Sequence, residues 1–331
     1  MKIAATSNQA QQAMHMLSKL QSDFMTRLQS ISEQFDSCAQ FKSIEWLRDA
    51  GLHGGGVRFE AVEGSIFNRA SINISQVQYD DLPDKSFSSA TALSTIIHPL
   101  HPLAPSIHIH ISWTELKNGQ GYWRLMADLN PSIPDHKDKA QFDLCLKEVT
   151  GKYHQQGERA GDTYFYIPAL QTSRGVSHFY LEGFNPDSMT SGDFAKDFGE
   201  SVIQCYCSIL AQKLRNAEPP TAAQKAAQIN YHTLYFYQVL TLDKGTTAGL
   251  LIHNQNDTGT LGSLPARINR VLLASWVDIT PAPQDELIKR FLKLLPEQDI
   301  CLITTPLKTQ IAEQIRAHYK VFPINNRNQV K

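Results

Sequence analysis

Prolines at 99, 102 and 105 prevent a helix from running through the stretch around them, because each fixes φ and removes a backbone donor. The residues that follow, Ser106 to Trp113, alternate polar and β-branched apolar side chains, the pattern of a strand. On a strand, Ser106, His108, His110 and Ser112 share one face, and Ile107, Ile109 and Ile111 share the other. His98 and His101 precede this segment and Asp128 follows it. An imidazole-bearing face backed by an aliphatic one is how a scaffold presents chemistry, so function is sought here.

Elsewhere, apolar residues at Leu17, Leu20, Phe24, Leu28, Ile31 and Phe35 recur at threes and fours, predicting a long amphipathic helix over 8–37. Strands are expected over 57–62, 70–79, 106–113, 121–127, 176–182, 233–242 and 248–253. Helices are expected over 137–154, 191–216, 221–229, 285–295 and 308–318. Hairpin-like connections at 63–65 and 243–247 favour antiparallel pairing over repeated βαβ units. The class that results is α+β. Trp113 and Trp123 are read as core.

With 42% hydrophobic and 19% charged residues in 331, the chain can bury a large core. A net charge of −1, from 31 basic and 32 acidic residues, provides no global field to attract nucleic acid or an anionic membrane. The N-terminus lacks a signal-peptide core, and no apolar run is long enough to span a bilayer, so a cytoplasmic protein is expected. Cysteines 38, 145, 205, 207 and 301 show no zinc spacing and read as small buried thiols. Gly54-Gly55-Gly56 has no phosphate-loop lysine and reads as a flexible turn.

Several segments, in order, resemble the oxygen-dependent coproporphyrinogen III oxidase family. Ile97-His98-Pro99, Pro102, Ala104-Pro105 and Ile107-His108 resemble its Val-Ile-His-Pro-x-Asn-Pro-His-x-Pro-Thr-Ile-His run. Trp46-x-Arg48, Gly54-Gly55-Gly56 and Phe67 through Ser75 are similar to its Trp-x-Arg, glycine-rich and Phe-Glu-Lys-Ala-Gly-Val-Asn-x-Ser segments. Asp128-Leu129-Asn130-Pro131, Arg174-Gly175, Leu242 through Thr246 and Ser263-Leu264-Pro265 continue the series. The match covers roughly residues 40 to 280. It implies a broad antiparallel sheet flanked by helices on both faces, with residues 1–280 as the family domain, 281–331 as an extension packed on it, and a homodimer. Apolar positions on the helices expected at 191–216 and 285–295 point to self-association as well.

Oxidative loss of CO2 from a propionate side chain requires a base, cationic groups for carboxylates and a dry cleft. The resemblance implies catalytic roles for His108, Asp128 and Asp243, with Arg174 and Lys244 binding substrate carboxylate. His98, His110 and Ser112 complete the candidate substrate-binding set, and the two histidines read equally as hydrogen-bonded structural groups. O2 is the implied co-substrate, with no cofactor and no metal. Asp128 could instead initiate a turn, and Asp243-Lys244-Gly245 suits a hairpin turn.

The chain also departs from the family. Ser112 stands where the family has arginine, His110 where it has asparagine, and Asn256 where it has another arginine. Each lost arginine removes a bidentate clamp, so the expected substrate of this oxidative decarboxylation is a porphyrinogen, held more weakly, or a smaller carboxylated pyrrole- or indole-like compound. Two alternatives stay open: a non-catalytic tetrapyrrole-binding or scaffold protein, and a non-haem iron site formed by His108, His110 and Asp128.

Overall fold

Seven strands pair antiparallel in the spatial order β1 (Lys42–Leu47), β2 (Gly54–Ala61), β3 (Phe67–Gln78), β4 (Phe87–Pro99), β5 (Ser106–Leu116), β6 (Gly121–Asn130) and β7 (Ser177–Phe184). The chain thus folds as an antiparallel sheet with helices around it, as the α+β reading expects. This computed structural model describes residues 2–35, 40–61, 63–64, 66–186, 191–252 and 254–323. Cys38 lies outside them, as do Val62 and Ser65 in the connection expected to be a hairpin at 63–65, across which β2 and β3 pair.

The chain divides into two units, residues 1–166 with 173–228, and residues 167–172 with 229–331. The first contains the sheet. Its aliphatic face, with Ile107, Ile109 and Ile111 fully buried, packs against α1 (Asn8–Gln34) and α4 (Ser191–Arg215). Leu17, Leu20, Phe24 and Leu28 of α1 are the helical stripe expected from their spacing, each contributing roughly 1.5–3 kcal/mol by burial. Ser7 fixes the start of α1: its hydroxyl oxygen accepts from the Ala10 N–H at 3.0 Å and donates to the Glu115 carboxylate on β5. Trp113 and Trp123 are buried with ring centroids 5.3 Å apart.

The helix expected over 137–154 is interrupted. Gly151, at φ +49°, closes α2 (His136–Thr150), and after one short turn a second helix, α3 (His154–Phe165), lies along the edge strand β7. A Cβ on Gly161 would stand 2.7 Å from the His178 Cβ, so this close approach requires glycine. The contact also covers a strand edge otherwise open to pairing.

The second unit corrects the expected strands at 233–242 and 248–253. Residues 233–241 are helical within α5 (Ala222–Thr241) and 248–252 within α6 (Lys244–Ile252), while His253 lies outside the described residues. The aromatic run Tyr235-Phe236-Tyr237 is buried on all sides, and periodicity alone cannot separate such a run from a central strand. The segment at 243–247 is therefore no hairpin: Asp243 caps α6, its Oδ1 accepting from the Thr246 N–H at 2.6 Å. Nor is Gly54-Gly55-Gly56 a flexible turn, since it opens β2 and pairs with both neighbouring strands. The division between units falls within α5. The C-terminal segment shares a core with 229–280: β8 (Arg267–Asn269) pairs with β9 (Ile300–Leu302), and Phe236 of α5 packs on Phe291 of α7 (Gln284–Leu294). A final helix, α8 (Thr305–Val321), packs on α6 and α7.

Candidate active site

Strand register aligns the chemistry. Ile96 on β4, His108 on β5, Asp128 on β6 and His178 on β7 are successive cross-strand partners on the polar face of the sheet. His108 Nδ1 lies 2.8 Å from Asp128 Oδ1. Asp128 Oδ2 accepts from Arg174 at 2.7 Å and from the Asn130 side-chain amide at 2.6 Å. Asp128 is fully buried and Arg174 is 1% exposed, whereas the His108 side chain retains 16% exposure. Only the imidazole reaches outward.

Burial alone would raise the Asp128 pKa. The Arg174 and His108 charges, with hydrogen bonds from His108 and Asn130, outweigh it and hold the carboxyl at about 2. Asp128 is thus an anion at any working pH, accepts the Nδ1 proton of His108 and leaves Nε2 as the proton-accepting nitrogen. An imidazole with an oriented, open Nε2 backed by a buried carboxylate can act as a general base or return the proton as an acid.

Arg174 is held as firmly as the pair it serves. Its guanidinium lies 4.5 Å from the Phe165 ring centroid, and its carbonyl accepts from His178 Nε2 at 2.7 Å. His178 Nδ1 lies 2.8 Å from Asp162 on α3. Gly175 sits at φ +85°, and a Cβ there would be 2.7 Å from Asn130 Oδ1, which accounts for the Arg174-Gly175 pair. The guanidinium expected to grip a ligand carboxylate is thus engaged with Asp128.

The remaining candidates are distributed along this face and beyond it. His110 shares the His108 face, but its Nε2 is 3.2 Å from Ser112 Oγ; burial, helped by the Arg124 and His108 charges, pushes its pKa down to about 3. Among the described residues no three His, Cys, Asp or Glu side chains converge as a ligand set, so His108, His110 and Asp128 do not assemble the facial triad weighed above. Ser112 is buried opposite Arg124, which is paired with Glu182. His98 is fully buried, its Nδ1 2.9 Å from Ser106 Oγ. His101 meets the Glu218 carbonyl. Asp243, buried, and Lys244, exposed, begin α6 in the second unit.

Asn130, Phe165 and His178 were not anticipated from the sequence. Asn130 could have been, since it follows Asp128 by two on a strand and must share its face. Phe165 and His178 carry no local signal, because only the packing of α3 and β7 brings them in.

The sequence profile of the coproporphyrinogen III oxidase family matches residues 12–276. The chain is similar to the oxygen-dependent coproporphyrinogen-III oxidase of Rickettsia akari, 29% identical over 251 residues, covering 70% of this chain and 85% of the relative. It is likewise similar to that of Rickettsia rickettsii, 28% identical over 252 residues with the same coverage, and to that of Rickettsia bellii, 28% identical over 271 residues and 92% of the relative. With the profile spanning the sheet, the His108–Asp128 pair and Arg174, the chain belongs to the coproporphyrinogen III oxidase family.

Proposed function

We propose that this protein carries out O2-dependent oxidative decarboxylation of a propionate side chain on a porphyrinogen, or on a smaller carboxylated pyrrole, as in haem biosynthesis. Family membership supports the coproporphyrinogen oxidase-like activity. The observation that carries the reading is the His108–Asp128 pair, buried at its carboxylate end and open at its imidazole end. The overall step balances: R–CH2–CH2–COOH and O2 give R–CH=CH2, CO2 and H2O2. O2 takes the two electrons released as the C–COOH bond breaks and the alkene forms, and the two protons leave with the peroxide.

In this reading His108 Nε2 removes a proton from the substrate, Asp128 holds the tautomer and Arg174 holds Asp128. Asp243 is assigned a catalytic role, and Lys244 a substrate carboxylate, by resemblance alone. The active form is a homodimer that uses O2 without another cofactor. Anaerobic coproporphyrinogen III mixed with the protein and then with O2 tests the reading, with products separated and CO2 counted. Stoichiometric O2-dependent CO2 and alkene product are expected, and no release above the protein-free control would overturn it. Neutral Ser112 at a position of family arginine favours a second reading, tetrapyrrole binding without turnover, which the same experiment separates.

A further inference from the structure

Arg69 is more than nine-tenths buried and has no hydrogen-bond or ion-pair partner among the described residues. It lies on β3, on the same sheet face as the candidate active site. Arg69 pairs in register with His98, and two residues on, Ser71 pairs with Ile96, which pairs with His108. Burial pushes its pKa down, and the charges of Glu60 and Glu63 only partly oppose this. The Glu60 carboxylate is engaged by Arg58 at 3.3 Å. Burial of this cation is thus only partly offset by nearby carboxylates, and no described residue pairs with it directly, an arrangement that costs the unliganded protein stability.

We infer that Arg69 is the anchor for a ligand carboxylate, and that the ligand carries at least one carboxylate besides the one that reacts. This rests on the decarboxylase reading above. A guanidinium takes a carboxylate through two parallel hydrogen bonds, the geometry Arg69 leaves unused. Arg69 is two strands across and two residues along from His108, about 12 Å between backbones at ordinary strand spacing. A ligand spanning them carries two acid groups well apart from each other, which favours a polycarboxylate over the smaller monoacid expected from the arginine losses alone.

The test uses oxidised coproporphyrin III, a non-reacting tetracarboxylate, with binding read by fluorescence titration and stability by thermal melting. Arg69→Met is expected to weaken binding at least tenfold, the effect of one charge-assisted hydrogen bond. Arg69→Lys, which keeps the charge and loses the fork, should bind between the two. Without ligand, Arg69→Met should melt above the wild-type protein, a gain that a structural arginine would not give. Wild-type affinity in Arg69→Met, a lower melting temperature for it, or no binding of coproporphyrin III by the wild-type protein would each overturn the inference. Arg69-dependent binding without CO2 release in the turnover assay would overturn the decarboxylase reading alone. Turnover of coproporphyrinogen with KM unchanged in Arg69→Met would overturn the anchor alone.

Discussion

Arg174 donates to Asp128 Oδ2 at 2.7 Å across 46 residues of sequence, and neither side chain is more than 1% exposed. A buried ion pair of this kind is weak evidence of net stability, but breaking it is costly, because the surviving charge stays desolvated. Arg174→Ala should therefore lower unfolding free energy by about 3–5 kcal/mol. Asp128 should then titrate well above its present range. Denaturant unfolding of Arg174→Ala and of the double variant with Asp128→Asn checks this, and the second substitution is expected to recover part of the loss.

His108→Gln, whose side-chain amide can still donate to Asp128 in place of Nδ1, should fold and should lose roughly 10²–10⁴ in kcat, the contribution of a positioned general base. Asp128→Asn should reduce kcat as well, since a neutral amide no longer selects the Nδ1–H tautomer. CO2 release under O2 is the measurement. Full activity in His108→Gln would remove the imidazole from the chemistry.

Acid stability follows from His110 and Asp128, with the same sign for different reasons. The folded pKa of His110 is depressed to about 3, so between the unfolded value near 6.5 and 3 the unfolded chain binds the extra proton. Stability is then lost as pH falls through that window, by up to about 1.4 kcal/mol per pH unit. Asp128, depressed to about 2, adds its own loss below its unfolded value near 3.9, as pH falls toward 2. His110→Gln should flatten the stability profile between pH 6 and 4, measured by urea unfolding. His232, pushed to about 3 by burial in the second unit, leaves a residual slope of the same sign.

The Ser106–Ser112 alternation was legible because a half-exposed strand writes its period of two into the sequence, and Asp128 was legible through the resemblance. The partner of Arg174 was not, because strand register and the packing of α3 place it, and neither has a local signature. Residues 248–252 misled because Leu251 and Ile252 are apolar yet exposed, and 233–241 for a different reason. A helix buried on all sides loses its polar stripe, and with it the 3.6-residue period that would have marked it. The strand Phe87–Pro99 escaped notice because its Ser, Thr and Ala residues weaken the apolar alternation. Arg69 lay in plain view within a matched segment, but only its burial without a direct partner among the described residues makes it informative, and that is visible only in three dimensions.

The position of family arginine at Ser112 shows how a lost charge constrains its own restoration. Ser112 is 8% exposed and directly opposite Arg124 in the β5–β6 register, on the same face. Ser112→Arg would set two guanidiniums across from each other, and directly opposed like charges destabilise a strand pair. Glu182, already engaged by Arg124, cannot neutralise both. Ser112→Arg alone should therefore lower stability by about 1 kcal/mol, with a further cost from burying the longer side chain. Ser112→Arg combined with Arg124→Gln should recover much of it and bind coproporphyrin III more tightly than either single variant. A double-mutant cycle on unfolding free energy tests this, with a coupling of about 0.5 kcal/mol or more expected between the two positions. Strict additivity would show that Arg124 does not sense position 112.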